Sequence, residues 1–177
     1  MPDPFVIRPA AIADAPGIAR VHWRSHQTTY VEPGRVARDK VEGWTYADRI
    51  RAWTTNLAIA NDVYPPPEGF HRMGIWVAEV GGEHGGEVVG WANTSTGRDS
   101  DGPRALELEG LYVLDEFHGG GVGQALLDTA VGDRPAYLWA LADNPRAHAF
   151  YRRNGFELDG TSKVDDFWQV HEVRFVR

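Results

Sequence analysis

Four glycines lie within five positions in the segment 118–124, which reads HGGGVGQ and stands directly before a helix-forming run. A glycine inside a regular element costs about 0.5–1 kcal/mol relative to alanine, so this density indicates a close approach to the backbone. A helix start offers unpaired N–H groups and the positive end of the helix dipole to an anion. The segment therefore predicts a phosphate-binding site that is formed by backbone N–H donors and assisted by His118 and Gln124. Such a site suits a diphosphate better than a triphosphate with its metal ion.

Two other phosphate-binding motifs do not fit this segment. The dinucleotide fingerprint G-x-G-x-x-G fails because, counted from Gly119, its third glycine falls on Gln124, and counted from Gly120, its second falls on Val122. The phosphate loop of nucleoside triphosphatases needs Lys and then Ser or Thr after its last glycine, where this chain has Gln124 and Ala125. The apolar spacing from residue 122 onward is typical of a helix, so the cluster opens a helix.

The elements around the cluster follow from apolar periodicity and turn residues. Strands are predicted at residues 5–10, 74–80, 87–96, 105–113 and 136–141, helices at 13–30, 43–58, 121–131 and 144–156, a loop at 63–71, and strand-like sequence at 161–177. The segment GGEHGG is typical of a hairpin connection, so the second and third strands are expected to be antiparallel. Asn144 as N-cap, Pro145 at the first position and Gly155 after the end bound the last helix. This order predicts an α/β or α+β sheet flanked by helices.

Composition narrows the classes of function. A chain of 177 residues with 42% hydrophobic content supports one domain, residues 1–177. A net charge of −7, with no basic run longer than two residues, argues against a nucleic-acid-binding surface. The absence of cysteine excludes disulfides, thiolate catalysis and cysteine-ligated zinc. No apolar run is long enough for a membrane span, and the N-terminal segment lacks the pattern of a signal peptide, so we expect a cytoplasmic location without membrane partners.

The segment HGGGVG resembles the acetyl-CoA pyrophosphate motif of the GNAT superfamily of N-acetyltransferases, Q/R-x-x-G-x-G/A. Gly121 and Gly123 match the motif, and His118 replaces its Gln or Arg. The preceding LYV and the following YLWAL and NPRAHAFYRRNGF recur in that family at similar spacing. The resemblance implies a mixed, mostly antiparallel central sheet of about six to seven strands, flanked by about four helices and splayed between strands 4 and 5.

The resemblance also implies acetyl-CoA as cosubstrate, with no metal. Pantetheine would pair with main-chain groups of the fourth strand around Leu111, Tyr112 and Val113. The remaining cofactor-binding residues implied by the family pattern are His118, Gly119, Gly120, Gly121, Val122, Gly123, Gln124, Asn144 and Tyr151.

Acetyl transfer to an amine by direct attack in a ternary complex needs a neutral nucleophile. A lysine-like amine has a pKa near 10.4, about 3.4 units above pH 7. The neutral, reactive form of the amine is therefore disfavoured by roughly 4.6 kcal/mol at pH 7. Glu107 and Glu109 share a face of the fourth strand by period-two counting, and either carboxylate could take the proton directly or through water. The resemblance implies Glu107 as the general base, with Glu109 as its competitor, and Tyr151 as the general acid for the departing thiolate.

The resemblance places the acceptor pocket at the first two helices, their connection and the last strands. Candidate contacts are Trp23, Tyr30, Glu109 and His171, with His26, Trp44, Asp166 and Trp168 as further candidates. An aromatic and acidic lining suits a cation. His22 and His26 have the i, i+4 spacing of a metal pair, but no third ligand is identifiable nearby in the sequence.

Three functions remain open at this point. The first is an N-acetyltransferase acting on the primary amine of a small molecule. The second is an acetyltransferase acting on N-terminal or lysine amines of proteins, which would need an open groove. The third is a non-catalytic acyl-CoA-binding regulatory module. The C-terminal sequence VHEVRFVR is predicted to end in an edge strand that pairs with a second chain, which favours a homodimer.

Overall fold

The computed structural model describes residues 5–66, 73–81 and 86–177. The helices are α1 (Ala15–His26), α2 (Arg38–Gly43), α3 (Tyr46–Ala60), α4 (Val122–Ala130) and α5 (Pro145–Arg153). The strands are β1 (Phe5–Pro9), β2 (Met73–Val80), β3 (Glu87–Thr96), β4 (Leu106–Val113), β5 (Tyr137–Leu141), β6 (Glu157–Val164) and β7 (His171–Val176). Residues 67–71 of the predicted loop and residues 82–85 of the predicted hairpin connection lie outside the described residues.

The strands form a seven-stranded sheet in the order β1-β2-β3-β4-β5-β7-β6. Every neighbouring pair is antiparallel except β4 and β5, which are parallel. The predicted mixed, mostly antiparallel sheet is therefore confirmed. The described residues contain five α-helices instead of about four, because the predicted helix at 43–58 is preceded by the separate helix α2.

The sheet opens between β4 and β5. Their register pairs Glu107 with Tyr137 and Leu108 with Leu138, and no further pair of described residues joins the two strands. Beyond this point the side of β4 that faces β5 carries main-chain groups of residues 109–113 without strand partners. The predicted splay is confirmed, and it leaves peptide groups available to a ligand.

The first helical segment ends differently from its prediction. A single helix was expected over residues 13–30, whereas α1 ends at His26 and continues as a π-helical turn, Gln27–Val31, in which Glu32 N–H donates to the Gln27 carbonyl at 2.9 Å. Single π-turns occur often at functional sites because they redirect side chains. Here the turn buries Tyr30, which is 6% exposed.

The C-terminal strand is not the edge strand that the sequence suggested. β7 pairs with β5 on one side and with β6 on the other, so the prediction of an edge strand in VHEVRFVR is wrong. The edge is β6, whose residues are largely exposed. The core lies instead around β3, which is buried from Val88 to Ser95 because α1 and α4 pack against the sheet there. Within the described ranges, no helix combines the length and apolarity needed to cross a bilayer.

Candidate active site

The glycine segment forms an open cradle at the start of α4. Gly121 is the N-cap residue with φ 88°, and Gly119 has φ 78°. Residues with a side chain rarely adopt these backbone conformations. No heavy atom of the described residues lies within 4 Å of the Cβ position that either glycine would carry. The first intrahelical bond runs from Ala125 N–H to the Gly121 carbonyl at 3.0 Å, so the three preceding amides, Val122 to Gln124, have no intrahelical partner. The cradle therefore fits a diphosphate.

A cation that the sequence analysis missed reaches the cradle from α5. His118 Nε2 bonds the Val113 carbonyl at 2.9 Å, and the Arg146 guanidinium contacts His118 Nδ1. Because arginine can only donate, Nδ1 accepts and the hydrogen lies on Nε2. Arg146 and Arg153 line the same cavity as the cradle. Arg146 follows His118 by 28 positions, and only tertiary packing brings the two together.

The side chains of the cradle residues have different surroundings. Gln124 donates to Asp128 at 2.8 Å and to Asn154 at 2.7 Å, so its amide is turned away from the helix start. Val122 is 2% exposed and packs in the core. These two residues can assist an anion only through their main-chain amides. Gly119, Gly121 and Gly123 line the cavity.

One cavity of about 1040 Å³ extends from the cradle along the opened strand β4. Its wall includes Leu111, Tyr112, Val113 and Asn144. Asn144 also caps α5, because its Oδ1 accepts from Ala147 N–H at 3.1 Å. The expectation that Asn144 serves as N-cap is confirmed, and its contact with a cofactor stays a prediction.

Glu107 is fully buried, at 0% exposure, and its carboxylate is saturated. It accepts from the Arg98 main-chain N–H at 2.8 Å, from Arg98 Nε at 3.1 Å and from the Tyr137 hydroxyl at 3.0 Å. Burial alone would raise the pKa of Glu107, but the hydrogen bonds and charge of Arg98 bring that pKa below its ordinary value. A carboxylate enclosed in this way is poorly placed to take a proton from a ligand.

Glu109 lies on the cavity wall at the bulge where β4 passes Asn93 of β3. It accepts from Asn93 Nδ2 at 2.6 Å and from Ser95 Oγ at 2.7 Å, and it forms an ion pair with Arg98 Nε at 3.2 Å. Its side chain is 13% exposed. Because Arg98 contacts both glutamates, they lie on the same side of β4, and only Glu109 of the two lines the cavity.

Tyr151 of α5 lines the cavity. Its ring packs against Phe150, Phe156 and Phe175 at centroid distances of 5.3–5.9 Å. Burial raises the pKa of the Tyr151 hydroxyl, so the phenol keeps its proton at neutral pH. The residue therefore combines a packing contact with a proton held at the cavity wall.

Eight aromatic side chains line part of the same cavity and are here called the aromatic cage. The cage comprises His22, His26, Tyr30, Trp44, Trp53, Trp91, Tyr112 and Trp168. The His22 and His26 rings meet edge to face at 4.2 Å, and His22 lies 5.4–5.8 Å from the rings of Trp44, Trp53 and Trp91.

Both histidines of the cage are held in the neutral form. Trp53 Nε1 donates to His22 Nδ1 at 3.1 Å, so this nitrogen carries no hydrogen. Burial and the charge of Arg49 lower the pKa of His26 to about 3, and burial, His26 and Arg49 lower the pKa of His22 well below its ordinary value. Within the described residues, no group of three His, Asp or Glu side chains is placed to hold a metal ion.

The predicted acceptor contacts divide into two groups. Tyr30 and Glu109 line the cavity, as do His26, Trp44 and Trp168. Trp23, Asp166 and His171 do not: Trp23 stacks on Arg49 at 4.8 Å, Asp166 is exposed, and His171 is exposed on β7 opposite Val164. Sequence spacing placed Trp23 and His171 on the correct elements, but it does not determine which face of an element a cavity will occupy.

Comparison with known proteins agrees with this geometry. Residues 71–158 match the family described as "Acetyltransferase (GNAT) domain". The chain is 27% identical over 168 residues to the probable N-acetyltransferase Rv2775 of Mycobacterium tuberculosis, a match covering 90% of this chain and 83% of that protein. It is 34% identical over 84 residues to the uncharacterized N-acetyltransferase Rv2669 of the same species, covering 44% of this chain and 51% of that protein.

Two solved structures share the fold at 18% sequence identity. The PaiA N-acetyltransferase of Thermoplasma acidophilum in complex with coenzyme A superposes with a TM-score of 0.70, covering 98% of this chain and 99% of that chain. The putative acetyltransferase YncA of Salmonella typhimurium with acetyl-CoA gives a TM-score of 0.65, covering 98% and 93%. This chain therefore shares its fold with these two proteins. The chain belongs to the GNAT superfamily of N-acetyltransferases, and it is an acetyl-CoA-dependent acyltransferase.

Proposed function

We propose that this enzyme transfers the acetyl group of acetyl-CoA to the primary amine of a small molecule by direct attack in a ternary complex, with Glu109 as the general base. The observation that carries the proposal is the position of Glu109, which lies on the wall of the cavity that also contains the cradle. Glu107, the alternative base, is enclosed by Arg98 and Tyr137.

The residues that would hold the cofactor come from both sides of the opened sheet. The amides of residues 122–124 and the Arg146 guanidinium would bind the diphosphate. The main chain of β4 around Leu111 and Val113, which has no strand partner on this side, would pair with pantetheine, although the Val113 carbonyl already accepts from His118. When bound, acetyl-CoA supplies an acetyl group activated as a thioester.

Glu109 has one acceptor position left for an incoming amine. An ionised carboxylate accepts about four hydrogen bonds. Asn93, Ser95 and Arg98 account for three contacts and fix the carboxylate against the cavity wall. The remaining position can take the proton of an ammonium group, directly or through one water molecule.

Tyr151 is the proposed general acid. Tyr151 lines the cavity, and its hydroxyl stays protonated at neutral pH because burial raises its pKa. It can therefore donate a proton to the departing thiolate. The burial of the cage residues supports a small acceptor over a protein chain, since His26 and Tyr30 are 3% and 6% exposed.

Replacing Glu109 tests the assignment of the base. We expect Glu109→Gln to lower kcat by about 10²- to 10⁴-fold, because the amide cannot accept the proton, while coenzyme A affinity measured by calorimetry stays unchanged. Glu107→Gln should lower the free energy of unfolding by about 1–3 kcal/mol, since it breaks a buried hydrogen-bond network, and should change kcat far less. The exposed Glu157→Gln is the matched control.

Two outcomes would contradict this assignment. A wild-type kcat in the Glu109→Gln variant would show that Glu109 is not the general base. A larger loss of kcat in a folded Glu107→Gln variant would show that Glu107 is the base. Tyr151→Phe in the same assay should lower kcat with unchanged coenzyme A affinity, and wild-type turnover would show that Tyr151 has only its packing role.

A further inference from the structure

The aromatic cage carries no charge at neutral pH. Its two histidines stay neutral because burial and the charge of Arg49 lower the pKa of His26 and burial lowers that of His22. Burial also raises the pKa of Tyr30 and of Tyr112, so both phenols keep their protons. The tryptophans of the cage have no titratable group, and the cage is therefore an uncharged aromatic surface.

A buried cation lies directly behind the cage. Arg49 is 0% exposed and is stacked between Trp23, at 4.8 Å, and the cage residue Trp44, at 4.3 Å. Burial lowers its pKa to about 10, so it remains protonated at neutral pH. Among the described residues no carboxylate forms a salt bridge with Arg49, although Asp48 raises its pKa from nearby. The field of Arg49 opposes the entry of a second positive charge into the cage.

The carboxylates that line the cavity near the cage already have partners. Glu109 pairs with Arg98 at 3.2 Å, and Glu172 lies 3.8 Å from Lys163. Asp165 accepts from the main-chain N–H groups of Phe167, at 3.0 Å, and Trp168. An acceptor with several ammonium groups would find one carboxylate position at Glu109 and, among the described residues that line this part of the cavity, no carboxylate without hydrogen-bond or ion-pair partners for its other charges.

We infer that the acceptor is a monoamine carried by a short linker on a flat, uncharged aromatic ring, with the ring in the cage and the amine at Glu109. This inference rests on the proposed function and specifies its substrate class. It narrows the expectation from the sequence that the aromatic and acidic lining suits a cation to an acceptor with a single ammonium group, because the sequence could not show Arg49 behind the cage or the partners of the carboxylates.

The cage geometry favours an aromatic ring over a saturated one of similar size. Its rings already meet each other edge to face at 4.2–5.8 Å, the arrangement in which aromatic pairs attract beyond simple burial. That additional attraction corresponds to an affinity gain of about 2- to 13-fold per aromatic pair.

A panel of matched acceptors tests the inference. Initial rates of thiol release from acetyl-CoA are measured with 2-phenylethylamine, 2-cyclohexylethylamine, 1,4-diaminobutane and spermidine. We expect kcat/KM for the phenyl compound to exceed that for the cyclohexyl compound by about 2- to 13-fold, and both to exceed the polyamines. Equal values for the two rings, or a polyamine as the best acceptor, would overturn the inference and leave the proposed function intact. Coenzyme A binding without turnover of any amine would overturn both.

Substitution of a cage residue on the surface turn provides a second test. Trp168→Leu should lower kcat/KM for 2-phenylethylamine by about 2- to 13-fold, with little change for 2-cyclohexylethylamine, whereas Trp168→Phe should retain the preference for the phenyl ring. Val164→Thr, on the exposed strand before the same turn, is the control. A folded Trp168→Leu enzyme with an unchanged phenyl-to-cyclohexyl ratio would contradict the role of the cage.

The charge of Arg49 is tested separately. In Arg49→Met, the ratio of kcat/KM for spermidine to that for 2-phenylethylamine should rise, because the repulsion of a second cation is removed. Thermal unfolding confirms that the variant is folded, and an unchanged ratio in folded protein would overturn the electrostatic basis of the selectivity. If Arg49→Met does not fold, the acceptor panel and the Trp168 variants still decide the inference.

Discussion

His26 gives the protein a specific dependence of stability on pH. Its pKa is about 3 in the folded protein, compared with 6.5 for an ordinary histidine. Between these values the unfolded chain binds a proton that the folded chain does not bind, so acidification through pH 6.5 favours unfolding. One such histidine lowers the free energy of unfolding at pH 5 by about 2 kcal/mol relative to pH 7.

The variant His26→Asn isolates this effect, because asparagine does not titrate. We expect the loss of unfolding free energy between pH 7 and pH 5, measured by urea denaturation, to be about 2 kcal/mol smaller in the variant than in the wild type. Carboxylates contribute to both proteins and cancel in the comparison, and the His22 contribution is expected to persist in the variant because burial is the largest cause of its lowered pKa. Identical pH dependences would mean that folding does not lower the pKa of His26.

The two glutamates of β4 illustrate what a sequence can predict about single residues. Their spacing correctly indicated a shared side of the strand, since both contact Arg98. Their different surroundings depend on Tyr137, which comes from β5, and on the bulge at Glu109. Neither a distant strand nor a bulge leaves a local signal in the sequence, so the sequence left the choice between the carboxylates open.

At the scale of the element, the glycine cradle can be tested with a matched pair of variants. Gly121 and Gly160 both have φ 88°, and no heavy atom of the described residues lies within 4 Å of either Cβ position. Alanine at either site should cost about 1 kcal/mol of unfolding free energy through left-handed backbone strain alone. Only Gly121→Ala should weaken coenzyme A binding in calorimetry, because Gly160 lies on the edge strand β6.

Two results would contradict the proposed cradle. If Gly121→Ala bound coenzyme A as tightly as Gly160→Ala does, the start of α4 would not be the diphosphate seat. If both variants lost affinity equally, the loss would reflect general destabilisation instead of a local contact.

Elements with local signals were predicted well, and elements defined by tertiary packing were not. The N-cap at Asn144 and the positive φ of Gly155 bound α5 as predicted, because caps depend on neighbouring residues. The π-helical turn after α1 and the short helix α2 were missed, because no capping or periodic signal marks them. The position of β7 inside the sheet depends on strand order, which periodicity does not encode.

At the scale of the whole molecule, cofactor binding should stabilise the entire fold. Some of the residues proposed to bind coenzyme A come directly after β4 in the chain, and others come directly after β5. The ligand would therefore contact both parts of the sheet that the splay separates. At a concentration 100 times Kd, a ligand that binds only the folded state contributes about 2.7 kcal/mol. For a chain of this size, Tm should rise by roughly 5–11 °C in differential scanning calorimetry.

Gly121→Ala provides the comparison for this experiment. At the same coenzyme A concentration, its Tm should rise less than that of the wild type, whereas Gly160→Ala should show the full increase. A wild-type Tm that is unchanged by saturating coenzyme A would contradict the proposed cofactor site.

The molecule as a whole is acidic, with a net charge of −7, yet Arg146 and Arg153 line the cavity that contains its cradle. The overall charge argues against a nucleic-acid surface, but it gave no indication of these arginines. Composition averages over the surface, whereas an anionic ligand responds to the charges within about a Debye length of its site.

The sheet consists of two parts, the strands β1-β2-β3-β4 and the strands β5-β7-β6. Among the described residues, only two residue pairs between β4 and β5 join these parts. One pair joins Glu107 to Tyr137, and the hydroxyl of Tyr137 binds the Glu107 carboxylate as well. The buried Glu107 side chain thus holds β4 and β5 together where the two parts of the sheet meet. The gap beside it can stay open for a ligand because the two strands are joined by side chains as well as by backbone.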